Sequence, residues 1–85
     1  MNKIRKTVLV GGCFDILHFG HTRFLKKAKS FGDFLIVLLE SDKHIKRLKG
    51  KNRPINNFMQ RKEVLLSLKF VDKVIKVPDN PTNKT

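Results

Sequence analysis

The sequence predicts an α/β domain, a three-stranded parallel half-sheet with strand order 3-2-1 and flanking helices. Three observations predict it. Short apolar, β-branched runs alternate with segments whose apolar residues keep helical spacing. The middle run, DFLIVLLES at 33–41, holds an unbroken apolar stretch of the kind that parallel strands show when covered on both faces. Crossovers between parallel strands are right-handed, so two successive strand–helix–strand units lay strands 1, 2 and 3 side by side.

The first strand is KTVLVGG, residues 6–12, ended by two glycines. From His21 to Phe31 a helix is expected, with Phe24, Leu25, Ala28 and Phe31 inward and Lys26, Lys27 and Lys29 outward. Gly32 stops it. After the second strand, residues 43–53 carry Lys43, Lys46, Arg47, Lys49, Lys51 and Arg53 without an acid. That stretch reads as a short helical turn and a loop punctuated by Gly50 and Pro54. Asn57 followed by Gln60 imitates a capping box for a second long helix, Phe58 to Phe70, with Met59, Leu65, Leu66, Leu68 and Phe70 inward. DKVIKV at 72–77 closes the sheet. Phe14, Phe24 and Phe31 are expected in the core. The domain thus spans residues 1–77, and 78–85 form a polar tail expected to be loose.

Composition narrows the class. Eighty-five residues, 40% hydrophobic and 31% charged, make one small domain, which buries roughly 60–65% of its unfolded surface. Nineteen Lys+Arg against seven Asp+Glu give a net charge of +12, which favours a phosphate-rich partner. No apolar run approaches the ~18–20 residues of a membrane span, and no leader peptide is evident. A single cysteine, Cys13, excludes a disulfide framework within the chain. The expected compartment is cytoplasmic, with no membrane partner. A basic nucleic-acid-binding module would use the same charge, but the chain lacks Trp, Tyr and an interleaved aromatic–basic stripe. Nucleic acid is therefore the disfavoured partner.

Chemistry concentrates in GGCFDILHFGH, residues 11–21, between the first strand and first helix. Ligands of open α/β sheets bind beyond the carboxyl ends of the strands, where strand order reverses. A helix N-terminus there suits phosphate. Gly11, Gly12 and Gly20 are expected to let backbone approach a ligand. His18 and His21 can present two donors to one phosphate group, about 5–6 Å apart. Neither is set beside a nucleophile. Cys13, His18 and His21 are acceptable zinc ligand types, yet without a second ligand cluster no resident metal is expected. His44 reads as a solvated helix residue. Neither a dinucleotide glycine pattern nor a Walker loop is present.

His18-Phe19-Gly20-His21, after Gly-x-Phe-Asp, resembles the HxGH signature of the cytidylyltransferase-like nucleotidyltransferases. The resemblance continues through GDFLIVLLESD (32–42), IKRLKGKNRPIN (45–56), Arg61 and FVDKVI (70–75). The block is most similar to the heptose 1-phosphate adenylyltransferases, and less so to glycerol-3-phosphate cytidylyltransferases and archaeal-type FAD synthetases. The resemblance implies a Rossmann-like (HUP-type) fold. It implies transfer of a nucleotidyl group, AMP from ATP or alternatively CMP from CTP, to a phosphorylated sugar or polyol. Pyrophosphate is released and Mg²⁺ accompanies the nucleoside triphosphate.

By the same resemblance, His18, His21 and Lys49 are catalytic, and Gly12, Cys13, Phe14, Gly20, Lys46 and Arg61 bind nucleotide. Asp15, Asp42 and Arg53 serve the acceptor or the framework. Gly11 and Glu40 depart from the heptose branch, which commonly has Asn and a small polar residue there; both bear on the acceptor pocket. The family's second signature, a Ser/Thr-Thr motif opening a late helix, has no match before Thr85. A catalytically incomplete half-domain is therefore the alternative to an enzyme, and the 85-residue chain alone is expected to be inactive. Strand 1, interior in the whole fold, would have an unpaired edge here, which invites a second copy or a complementing polypeptide.

Overall fold

The computed structural model describes residues 5–78. Its elements are β1 (Thr7–Gly12), α1 (Phe19–Lys29), β2 (Phe34–Leu39), α2 (Asp42–Lys49), α3 (Phe58–Leu66) and β3 (Lys73–Lys76). The strands are parallel in the order β1-β2-β3, with Val8 beside Leu35 and Val37 beside Val74. The expected half-sheet is present. The polar tail lies outside the described residues, apart from Pro78. No described helix is long and apolar enough to cross a membrane.

Strand alternation sorts the sheet into two faces. Leu35, Val37 and Leu39 of β2 and Val74 of β3 are buried against Leu25 and Ala28 of α1 and Leu65 of α3. Both helices therefore cover one face, as right-handed crossovers require. On the opposite face Leu9 and Ile75 are exposed and Ile36 and Leu38 are half-buried. The expectation that β2 is covered on both faces is thus met on one face only among the described residues.

Helix boundaries differ from the sequence reading for local reasons. α1 begins at Phe19, because His18 itself caps it. Its buried residues, Leu25 and Ala28, leave Phe24 at the margin and Phe31 beyond the helix end. Both are exposed, contrary to their expected place in the core, whereas Phe14 is buried. α2 is a full eight-residue helix rather than one turn; it is capped by Ser41 and stopped at Gly50, whose φ of 107° suits glycine.

α3 opens with the expected Asn57–Gln60 capping box but ends at Leu66, not Phe70. There Ser67 Oγ donates back to the Glu63 carbonyl, a bond that competes with helix continuation. Successive turns, Leu68 N–H to Leu65 and Val71 N–H to Leu68, then drop the chain into β3. Met59 and Leu66, expected inward, are exposed. Asp72 fastens this junction by accepting from the Leu35 amide and from Lys29 Nζ, both at 2.7 Å. Those bonds hold its carboxyl below the usual range, Lys29 contributing most, against the opposing effect of burial.

Gly32 joins α1 to β2 at a point of close approach. A Cβ there would stand 2.6 Å from the Lys6 carbonyl oxygen, backbone that cannot step aside cheaply. At Gly11 a Cβ would meet nothing nearer than 3.6 Å. Gly32→Ala is expected to cost about 1–3 kcal/mol of stability through overpacking, and Gly11→Ala within about 0.5 kcal/mol of nothing. Urea unfolding of the two variants measures the contrast.

Candidate functional site

The carboxyl ends of β1 and β2 are held by one buried side chain. Arg61 of α3 is 1% exposed. Its Nε donates to the Asn56 carbonyl at 3.0 Å, and its Nη1 to the carbonyls of Cys13 (3.0 Å) and Glu40 (2.9 Å). Its Nη2 donates to Asp42 Oδ1 at 2.6 Å. The guanidinium is thus spent on the turn after β1, the end of β2, the start of α2 and the entrance of α3. This corrects the expected phosphate contact: a group this enclosed is a clamp. Cys13, expected to line a nucleotide pocket through its backbone, gives its carbonyl to the same clamp.

Asp15 makes a second tie between the same segments. It is buried, and its carboxylate accepts from the amides of Ile55 and Asn56, each at 2.8 Å, and from Arg53 Nη1 at 3.2 Å. Its own carbonyl accepts from Asn56 Nδ2 at 2.7 Å. Burial by itself would raise the Asp15 pKa, but the two amides and Arg53 outweigh it and hold the carboxyl below 3.8. Of the two uses implied for Asp15 and Arg53, the framework one is seen.

Between these ties the chain makes a strained turn. Phe14 has φ of 45°, the left-handed region that a bulky side chain rarely enters and that costs about 1–2 kcal/mol. Its ring is buried in the core and fills the space that a Cβ on Gly12 would need, at 2.8 Å. The Phe14 ring is therefore by itself a reason for glycine at position 12. At Gly20 a Cβ would stand 2.9 Å from His18 Cε1, so this glycine makes room for a histidine.

The turn delivers His18 and His21 to the N-terminus of α1, their ring centroids 4.2 Å apart. The Gly20 amide donates to His18 Nδ1 at 2.9 Å, and the His18 amide to His21 Nδ1 at 3.2 Å. The two imidazoles form a reciprocal cap of the Ser-x-x-Glu kind, built from histidines. With both Nδ1 atoms accepting, each neutral ring carries its proton on Nε2. The cap so fixes two Nε2–H donors beside the positive end of the α1 dipole. Burial, and then the neighbouring His18, lower the pKa of His21 below 6.5. Phe14 meets the His21 ring edge-on at 5.4 Å.

The basic residues are placed differently. Lys46 and Lys49 are exposed in the last turn of α2, at the end away from the sheet edge. Asp42 opens α2 against Arg61 and is half-exposed, with a side-chain exposure of 46%. His44, read as solvated, instead pairs its Nδ1 with Glu40 Oε1. Among the described residues no three His, Cys, Asp or Glu side chains gather as a metal site.

A family model described as cytidylyltransferase-like matches residues 9–84. The chain belongs to the cytidylyltransferase-like family. Among similar members, the bifunctional protein HldE of Campylobacter curvus is 56% identical over 71 residues, 84% of this chain but 15% of that protein. HldE of Nitratiruptor sp. is 52% identical over 71 residues, with the same two shares. The crystal structure of a lipopolysaccharide core biosynthesis protein from Thermoplasma volcanium is similar at a TM-score of 0.80 and 32% identity. That match covers 91% of this chain and 62% of the other. The chain thus spans about 15% of the length of the curated relatives it matches.

Two predictions follow from the geometry. Because the folded state lowers the His21 pKa, the unfolded chain takes up this proton first. The associated stability is present above pH 6.5 and is lost as pH falls below it. Protonation of His21 Nδ1 also removes the cap on the His18 amide, so the protection factor of that amide (its exchange rate corrected for the intrinsic pH dependence) should fall as the pH is lowered below 6.5. For the clamp, Arg61→Ala should cost about 3 kcal/mol in urea unfolding, at the low end for a buried pair because Asp42 rehydrates. Arg61→Lys keeps the charge but not the fork, and should recover less than half of that.

Proposed function

We propose that this chain carries the nucleotide-handling part of a nucleotidyltransferase. It would transfer AMP from ATP, with CMP from CTP as the alternative, to a phosphorylated sugar or polyol. The observation that carries this reading is the histidine pair, with each Nδ1 occupied by a backbone amide and each Nε2–H left as a donor at a helix N-terminus. An acceptor phosphate oxygen attacks the α-phosphorus in line, the bond to the β-phosphate breaks, and pyrophosphate leaves. Donors already oriented where charge builds on the bridging and β-phosphate oxygens stabilise that step without reorganisation. ATP is favoured by the resemblance of residues 11–21 and 45–56 to the heptose 1-phosphate adenylyltransferases.

Lys49 and Lys46 are proposed to meet phosphates, for which an exposed, flexible ammonium is suited. Asp42 is proposed to face the acceptor. Magnesium is proposed to enter with the nucleoside triphosphate, where it would neutralise phosphate charge.

The cap dictates how the proposal is tested, because a histidine deletion also frays α1. His18→Asn keeps an N-cap acceptor and removes the Nε2–H. In an active protein that carries this segment, His18→Asn and His21→Gln should each lower turnover by about 10²–10³, with nucleotide affinity little changed. Pyrophosphate release measures the first and equilibrium titration the second. Turnover within a few-fold of the unmodified protein in both variants would remove the proposal.

A further inference from the structure

Glu40 stands one residue past β2. Its amide donates to the Gly12 carbonyl at 3.1 Å and its carbonyl accepts from Arg61. The backbone of Glu40 is therefore fixed against both β1 and α3. Continued alternation along β2 sets it on the uncovered side of the sheet with Ile36 and Leu38, at the carboxyl edge. One carboxylate oxygen meets His44 Nδ1, in the first turn of α2, and the two side chains are 22% and 33% exposed. The carboxylate is thus oriented, accessible, and still able to accept further hydrogen bonds. Asp15 at the same edge is buried and occupied by Arg53, Ile55 and Asn56.

Two accessible carboxylates stand at this edge of a chain of net charge +12: that of Asp42 is ion-paired with Arg61, and the other is Glu40. It does two things that a cation cannot: it accepts from hydroxyls, and it repels other anions. We infer that the Glu40–His44 pair selects the acceptor. It receives the hydroxyls of a polyhydroxyl monophosphate that has no other acidic group and turns away monophosphates with an acidic group at that position. Glu40 contacts the ligand. His44 is a positioning residue, holding the carboxylate that would otherwise swing free. The inference rests on the transfer reading and on acceptors binding at the strand ends.

Matched ligands test it. Glucose 1-phosphate and glucuronate 1-phosphate differ by a hydroxymethyl against a carboxylate, as do glycerol 3-phosphate and 3-phosphoglycerate. Each is titrated into the 85-residue chain, with ATP in parallel and with the nucleotide also present, following amide chemical shifts that register millimolar binding. The hydroxymethyl member of at least one pair should bind about tenfold more tightly than its carboxylate counterpart. Glu40→Gln, with Glu40→Asn as a second variant, should bring that pair within about threefold, mainly by strengthening the acid. His44→Phe should blunt the ratio, and all three variants should keep their ATP shifts. A purely structural pair would alter stability and leave the ratio alone. Equal binding within both pairs, an unchanged ratio in the Glu40 variants, or no monophosphate binding while ATP binds, overturns this inference and leaves the transfer reading standing. Absence of ATP shifts in the unmodified chain counts against the transfer reading, and this inference falls with it.

Discussion

The buried guanidinium of Arg61 is the interaction on which the carboxyl edge of this domain depends. A cation taken out of water is costly unless it is paired and hydrogen-bonded. Here four hydrogen bonds reach three carbonyls and a carboxylate on four different segments. Lysine offers a point charge on a flexible stem, and could not span carbonyls set in different directions; the rigid fork can. The paired strand ends, the start of α2 and the entrance of α3 are consequently one unit rather than four neighbouring loops. Phe58, whose ring lies 5.7 Å from the guanidinium carbon, adds an aromatic wall to the same unit.

That unit explains how the turn after β1 holds a conformation it would not adopt alone. Phe14 is kept in the left-handed region because its ring is in the core, its predecessor's carbonyl is clamped by Arg61, and its successor is bound by the Ile55 and Asn56 amides. Strain of this kind persists only where surroundings over-determine it. The two histidines emerge immediately downstream, so their rings inherit a fixed origin. Their mutual cap then removes the remaining rotational freedom, leaving two donors with one orientation each.

Much of this was legible in the sequence, and the rest was hidden for identifiable reasons. The three strands and the Asn57–Gln60 cap follow from local periodicity and a familiar pair of residue types. The His18–His21 spacing is visible, but histidine is not a usual capping residue, so helical periodicity alone places the start of α1 two residues late. The end of α3 carries no glycine or proline, and Ser67 stops it by a bond that composition does not announce. Arg61 is the largest misreading, since an arginine in a basic chain reads as surface or as a phosphate contact. Its partners at positions 13, 40 and 42 are distant in sequence, and only the folded chain brings them to one point. For Asp15 the resemblance left a choice between acceptor and framework, which the Ile55 and Asn56 amides resolve. The pairing of Glu40 with His44 is local, and a spacing of four residues into the helix after β2 makes it readable.

The clamp also sets an order of events for a chain made from its N-terminus. The histidine cap joins residues two and three apart, so it can form as soon as the first helix leaves the ribosome. The bonds from Arg61 to Glu40 and Cys13 span 21 and 48 residues, and closing such loops waits on the later segment. During synthesis, β1 and the histidines are therefore exposed well before the residue that fixes their turn has been translated. Pauses in translation between α1 and α3 would lengthen that interval, in which β1 and β2 present apolar edges to other nascent chains. The turn that carries the histidines is thus made early and fixed only when α3 arrives.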